Sequence, residues 1–237
     1  AGLGGVVSVS AGGLHTLALK GDGTVAGWGL SSSASVSAGL SEVVSISAGG
    51  LHSLALKSDG TVIAWGSSGY GATTVPSGLG NVVAIVAASS FSLALKADGT
   101  VVGWGKNDFG QASAPSGLSD VVAIAGGFNH SLALKADGTV VAWGGSSTAP
   151  TSVPSGLSGV IAIAAGGNNS LTIRADGTVV GWGTTVIPSG LSSIVAASIG
   201  NYNGSALRSD GTIALWGDSA YGATTIPPGL ANVVGID

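Results

Sequence analysis

One eight-residue phrase recurs six times in this chain and takes every tryptophan with it. In one clear copy it reads Asp98-Gly99-Thr100-Val101-Val102-Gly103-Trp104-Gly105. The other copies begin at Asp22, Asp59, Asp137, Asp176 and Asp210 and carry Trp28, Trp65, Trp143, Trp182 and Trp216. Successive aspartates are separated by 37, 39, 39, 39 and 34 residues. A near-constant period of this size means one array of supersecondary units, each unable to bury its apolar side alone. Residues 1–237 are therefore read as a single domain.

Each repeat has four phases. An apolar run such as Val121-Val122-Ala123-Ile124-Ala125 comes first, followed by Ser131-Leu132-Ala133-Leu134-Lys135 and then Thr139-Val140-Val141-Ala142-Trp143-Gly144. The fourth is short and polar, as in Ala72-Thr73-Thr74-Val75-Pro76-Ser77-Gly78-Leu79. Each phase has strand length, and β-branched residues are frequent. The Asp-Gly link between phases two and three is hairpin chemistry, because glycine supplies the left-handed position that other residues resist. No helical period is sustained. The fold class is all-β, and four short strands in about 39 residues make one blade of a β-propeller. The doubly apolar phase-one runs imply strands buried on both faces, between neighbouring blades.

The segment Gly126-Gly127-Phe128-Asn129-His130-Ser131-Leu132-Ala133-Leu134-Lys135-Ala136-Asp137-Gly138-Thr139-Val140-Val141-Ala142-Trp143-Gly144 resembles a repeat of the regulator of chromosome condensation family. The second and fourth repeats are close copies, the fifth and sixth looser. The fourth-phase pattern resembles bacterial members, some of which are secreted inhibitors that use aromatic loop residues. The resemblance implies a propeller, commonly of seven blades. This chain has six hairpin-and-Trp units but seven phase-one runs, from Val6-Val7 to Val233-Val234. Six blades are expected, a seventh being three strands short. One terminal strand, 231–237 or 4–10, is then surplus, and it either packs outside its own ring or pairs with an exposed strand edge on another copy, through Val233, Val234 and Ile236 in the first case. The family's nucleotide-exchange activity rests on loops with no counterpart here.

Composition excludes several functions. Charged residues make up only 8% of the chain and the net charge is −4, so a basic nucleic-acid surface is not expected. No apolar run approaches the roughly 18 residues that would span a bilayer. Without cysteine there is no disulfide or thiolate chemistry. The chain begins at Ala1 with no signal-peptide pattern and is read as a processed form. The Ser-, Thr- and Gly-rich composition suggests an extracellular or cell-surface setting.

Six basic residues, Lys20, Lys57, Lys96, Lys135, Arg174 and Arg208, each stand two positions before a motif aspartate, which predicts a ring of alternating charge at one end of the propeller. His15, His52 and His130 share one repeat position, filled elsewhere by Phe91, Asn169 and Asn203. Such positions radiate around the axis, so they read as loop supports rather than metal ligands. No catalytic, cofactor or metal residues are assigned. Asn129, Asn168 and Asn203 fit the glycosylation pattern but recur with the repeat. The loops after Trp-Gly carry Tyr70, Phe109 and Tyr221 at corresponding places, with Lys106 and Asp108 beside them, and are candidate partner-binding residues. Repeat five lacks this loop, so the rim there should be asymmetric.

Two functions follow. The first is a non-enzymatic extracellular protein that assembles with copies of itself, by strand addition or by packing of propeller faces. The second is a soluble module whose Trp-Gly loops bind a protein or glycan, an enzyme inhibitor being one form. A propeller enzyme is the least favoured, because the acids outside the repeats, such as Glu42, Asp120 and Asp218, are scattered.

Overall fold

The computed structural model describes residues 3–145, 150–219 and 224–237. It contains six antiparallel sheets, each of three strands taken in chain order. Blade one comprises β1 (Val6–Ala11), β2 (His15–Lys20) and β3 (Val25–Gly29), and blade two β4 (Val43–Ala48), β5 (His52–Lys57) and β6 (Val62–Gly66). Blade three comprises β7 (Val82–Ala87), β8 (Phe91–Lys96) and β9 (Val101–Gly105), and blade four β10 (Val121–Gly126), β11 (His130–Lys135) and β12 (Val140–Gly144). Blade five comprises β13 (Val160–Gly166), β14 (Asn169–Arg174) and β15 (Val179–Gly183), and blade six β16 (Ile194–Ile199), β17 (Asn203–Arg208) and β18 (Ile213–Gly217). The first strands of all six blades line a common axial cavity of about 840 Å³.

The hairpins form as their chemistry dictates. Gly99 takes φ +78 and its N–H donates to Lys96 O, while Lys96 N–H donates to Thr100 O. This is a three-residue loop closed by a left-handed glycine. It sets the register Leu95↔Val101 through Phe91↔Gly105, which brings Trp104 opposite Ser92.

Four-stranded blades were expected, and the sheets have three strands. The fourth phase does not pair. Pro76 has no N–H to give, Gly78 is left-handed (φ +77), and Leu79 N–H donates to Pro76 O in a local turn. The segment instead lies between blades and offers a carbonyl. Ala72 O accepts both Trp104 Nε1–H (2.8 Å) and Ser92 Oγ–H (3.0 Å) of the next blade. Ser33 O does the same for Trp65 and Ser53, and Gln111 O for Trp143 and Ser131. The motif tryptophan is thus the point at which one repeat is fastened to the next.

Apolar burial follows these junctions. Leu54, Leu56, Val82, Ile85 and Ala94 form one cluster with Trp104, and Val75 and Leu79 from the connecting segment pack against it. Equivalent clusters contain Trp65 with Val36 and Leu40, and Trp216 with Ile187 and Leu191. Glycines allow the close approach. A Cβ on Gly103 would sit 2.2 Å from Ala112 O.

Blades one to six pack in sequence, but among the described residues no such packing joins blade six to blade one. The C-terminal run expected as a surplus strand forms no ladder. It nonetheless starts as the inner strands do. Asn232 is left-handed (φ 56), like Asn81 before Val82, and Val233 N–H donates to Gly211 O as Val82 N–H does to Gly60 O. Among the described residues no middle strand pairs with it. Its end bridges the axial side of the gap, where the Asp237 carboxylate accepts from Ala11 N–H.

Candidate interaction surfaces

The two ends of the propeller differ. At the hairpin end every motif aspartate closes its own turn. Asp98 Oδ1 accepts from Thr100 N–H (3.0 Å) and Thr100 Oγ1–H (2.6 Å), and the other five copies repeat this pair. The threonine hydroxyl, then its backbone N–H, holds the Asp22, Asp59, Asp137, Asp176 and Asp210 carboxyls below the usual range. At Asp98, where Lys96 Nζ lies 2.9 Å away, the shift is largest. Lys57 bridges to Glu42 (3.1 Å) as well as to Asp59 (3.9 Å). The predicted charged ring is therefore present, and its acids are engaged in turn formation.

Beside that ring lies a feature the sequence reading missed. The inner strands were read as buried on both faces, yet each has a register shift after its first residue, between Val82 and Ala84 in blade three. The bulge turns the second apolar residue outward. Val7, Val44, Val83, Val122, Ile161 and Val195 are each more than half exposed, and Val234 is almost wholly so. The paired β-branched residues at the head of each run carried the signal: alternation buries only one of two neighbours.

The opposite end, where the Trp-Gly loops emerge, is held by the histidine position. His52 Nε2 meets Ser92 Oγ of the next blade at 3.0 Å, His15 meets Ser53 at 2.8 Å, and His130 meets Ser170 at 3.0 Å. Because the Ser53 and Ser92 hydroxyls donate to carbonyls, His15 and His52 donate to them through Nε2–H. Burial pushes His52 and His130 down to about 4. The neighbouring glycine is required, since a Cβ on Gly49 would lie 2.7 Å from the His52 ring. Asn169, in the same position, donates to Gly200 O and Asn201 O and accepts from Thr184 and Thr185 N–H, which ties down the short loop of repeat five. These side chains are blade-to-blade clasps. Among the described residues no cluster of three or more His, Cys, Asp or Glu is placed to hold a metal.

Three of the proposed partner-binding residues come together on this rim. Lys106 Nζ stands 5.4 Å from the centre of the Tyr70 ring and 3.8 Å from an Asp108 carboxylate oxygen, and Phe109 is exposed beside them in sequence. Tyr221 lies outside the described residues. Exposed Leu14, Leu51, Phe128 and Tyr202, which the sequence reading did not single out, share this end. Where repeat five is short the rim has an open recess of about 810 Å³, lined by Phe128, Asn168, Val186, Tyr202 and Asp218 among others. Of the residues proposed for an assembly strand, Val234 is exposed, Val233 half-buried, and Ile236 lines the axial cavity.

Six sheets around an axial cavity, with a Trp and a Ser of each of blades two to five fastened to a carbonyl of the preceding connection, define a β-propeller. A family model for the regulator of chromosome condensation (RCC1) repeat matches residues 6–33, 43–72, 82–111 and 121–147, and the chain belongs to this family. The looser fifth and sixth repeats fall outside the matched segments. A search of curated proteins finds no match. Among solved structures, the chain is similar to Prp20p of Saccharomyces cerevisiae (TM-score 0.79, 20% identity), covering 96% of this chain and 76% of that one. It is also similar to the ectodomain of the Physcomitrella patens receptor kinase CR4 (TM-score 0.77, 24% identity), with 90% of this chain covered, and spans 61% of that ectodomain's length. The corresponding figures for the Arabidopsis thaliana receptor kinase ACR4 ectodomain are 0.76, 19%, 90% and 85%. At these identities the likeness establishes the fold. No helix among the described residues is long and apolar enough to cross a membrane.

Proposed function

We propose that this propeller is a non-enzymatic extracellular interaction protein that buries its hairpin-end face against protein, copies of itself first. The observation that carries this reading is the set of seven exposed β-branched residues, Val7 to Val234, beside a ring of alternating charges. An apolar centre with a charged rim is the anatomy of a protein–protein interface. Prp20p, whose structure was solved together with its binding to Gsp1p and histones, lends support to protein partners, and the two receptor ectodomains lend support to an extracellular setting. Sedimentation velocity tests it. The double variant Val83→Lys/Val122→Lys should fold with an unchanged melting temperature and lose concentration-dependent association. Unchanged association would refute face packing.

A second reading has its own observation. The Tyr70–Lys106–Asp108 group and Phe109 present an exposed aromatic and charged patch on the Trp-Gly rim, suited to capture of a protein or glycan. Tyr70→Ala/Phe109→Ala should then abolish capture of a partner from native extract and leave folding intact. Retention of the same partner by the variant would count against the rim.

A further inference from the structure

The gap between blades six and one has two faces, and each lacks the apolar cover found at the junctions of Trp65, Trp104, Trp143 and Trp216. On the blade-one side, Trp28 is 44% exposed, whereas Trp65, Trp104, Trp143 and Trp216 are between 5 and 8%. Val9 is 49% exposed, against 8% and 7% for Ile46 and Ile85 at the same place in blades two and three. On the blade-six side the connecting segment Thr224-Thr225-Ile226-Pro227-Pro228-Gly229-Leu230 repeats Thr73-Thr74-Val75-Pro76-Ser77-Gly78-Leu79 almost residue for residue. Val75 and Leu79 pack on the Trp104 cluster. Ile226 and Leu230 pack on no cluster and are 41% and 48% exposed.

We infer that these are the two unpaired halves of one blade junction, and that they meet between molecules: Ile226 and Leu230 of one copy cover Trp28 and Val9 of the next. The occupant is specified by the internal junctions, where a segment of this same sequence covers a tryptophan of this same motif. The two surfaces are different, so the contact is head to tail, and copies add in a row or a ring rather than pairing. The inference deepens the self-assembly reading but uses a different surface from the hairpin-end face. The end of the chain fills the gap only at the axis, through Asp237 and Ile236.

The test is complementation, in the Val83→Lys/Val122→Lys background so that face packing does not contribute. Trp28→Glu blocks the accepting half, with Trp28→Gln as a milder version, and Ile226→Glu/Leu230→Glu blocks the donating half. All three residues are exposed, so melting temperatures should match the parent. Each blocked protein alone should sediment as the 22.4 kDa monomer. An equimolar mixture should form a species of twice that mass and nothing larger, because it holds one intact half of each kind. The unblocked background protein should form larger species as concentration rises. A mixture that stays monomeric with native melting temperatures overturns the inference, as does assembly by either blocked protein alone. Complementation that succeeds while Val83→Lys/Val122→Lys has no effect on the wild type removes only face packing.

Discussion

The junction between blades two and three and the gap between blades six and one are made from the same sequence phrases, with opposite results. In the first, the Trp104 indole is buried, its Nε1–H is taken by Ala72 O, and Val75 and Leu79 close over it. In the second, Trp28, Val9, Ile226 and Leu230 are all present and all exposed. The motif therefore does not stabilise by itself. It stabilises when a neighbouring repeat delivers apolar side chains and, at Trp65, Trp104, Trp143 and Trp182, a carbonyl to it. This is the nearest-neighbour behaviour of repeat proteins, in which the interface term carries much of the stability.

The sharpest way to break that comparison is to remove the two tryptophans separately. Trp104→Ala should cost about 3–5 kcal/mol through lost packing and a residual cavity. Trp28→Ala should cost the monomer under about 1 kcal/mol, its side chain being half in solvent already. Urea denaturation of dilute protein reads both, and equal costs would show that the gap is closed in solution.

The next effect is that of pH. His52 and His130 clasp internal junctions and are held near 4, below the ordinary 6.5, because burial disfavours their charged form. As pH falls through 6.5 the unfolded chain takes up protons that the folded chain refuses. The contribution of these histidines is thus complete above about 6.5 and is lost progressively toward 4. It amounts to up to about 3 kcal/mol for each. Melting temperatures between pH 7 and pH 4 should fall accordingly, and His52→Asn, the residue type at position 169, should flatten the dependence.

Smaller again is the serine that each clasp meets. Ser92→Ala removes the hydroxyl shared by His52 and Ala72 O and should cost about 1–2 kcal/mol. Thr16 holds the same position in blade one, facing the gap, and Thr16→Ala should change stability by less than about 0.5 kcal/mol. The smallest effect should be blind to the comparison. Asp22 and Asp137 close local turns with the same partners, so Asp22→Ala and Asp137→Ala should lower the melting temperature slightly and equally. A clear difference between them would mean that the turn, too, depends on its neighbours.

Much of this was legible in the chain. The Asp-Gly turn and the three pairing segments follow from local chemistry that a single repeat contains, whereas the histidines, read as loop supports, reach a serine of the next repeat. The fourth phase was misread as a strand because length and β-branching outweighed Pro76 and Gly78, whose effect on pairing is absolute. The exposed Val83 and its counterparts were misread because a bulge is a property of two strands in register, not of one. On the Trp-Gly rim, Tyr70 and Lys106 stand 36 positions apart in sequence, and only the packing of adjacent blades brings the ammonium over the ring.

The sequence by itself determined that the chain is an array of six hairpins with a tryptophan in each, because turn geometry and strand alternation act over a few residues. The tertiary structure decided which tryptophans are covered. That depends on whether another repeat arrives to supply Ala72 O, Val75 and Leu79 or their equivalents. At Trp28 none arrives from within the described chain, which leaves half a junction open to another molecule.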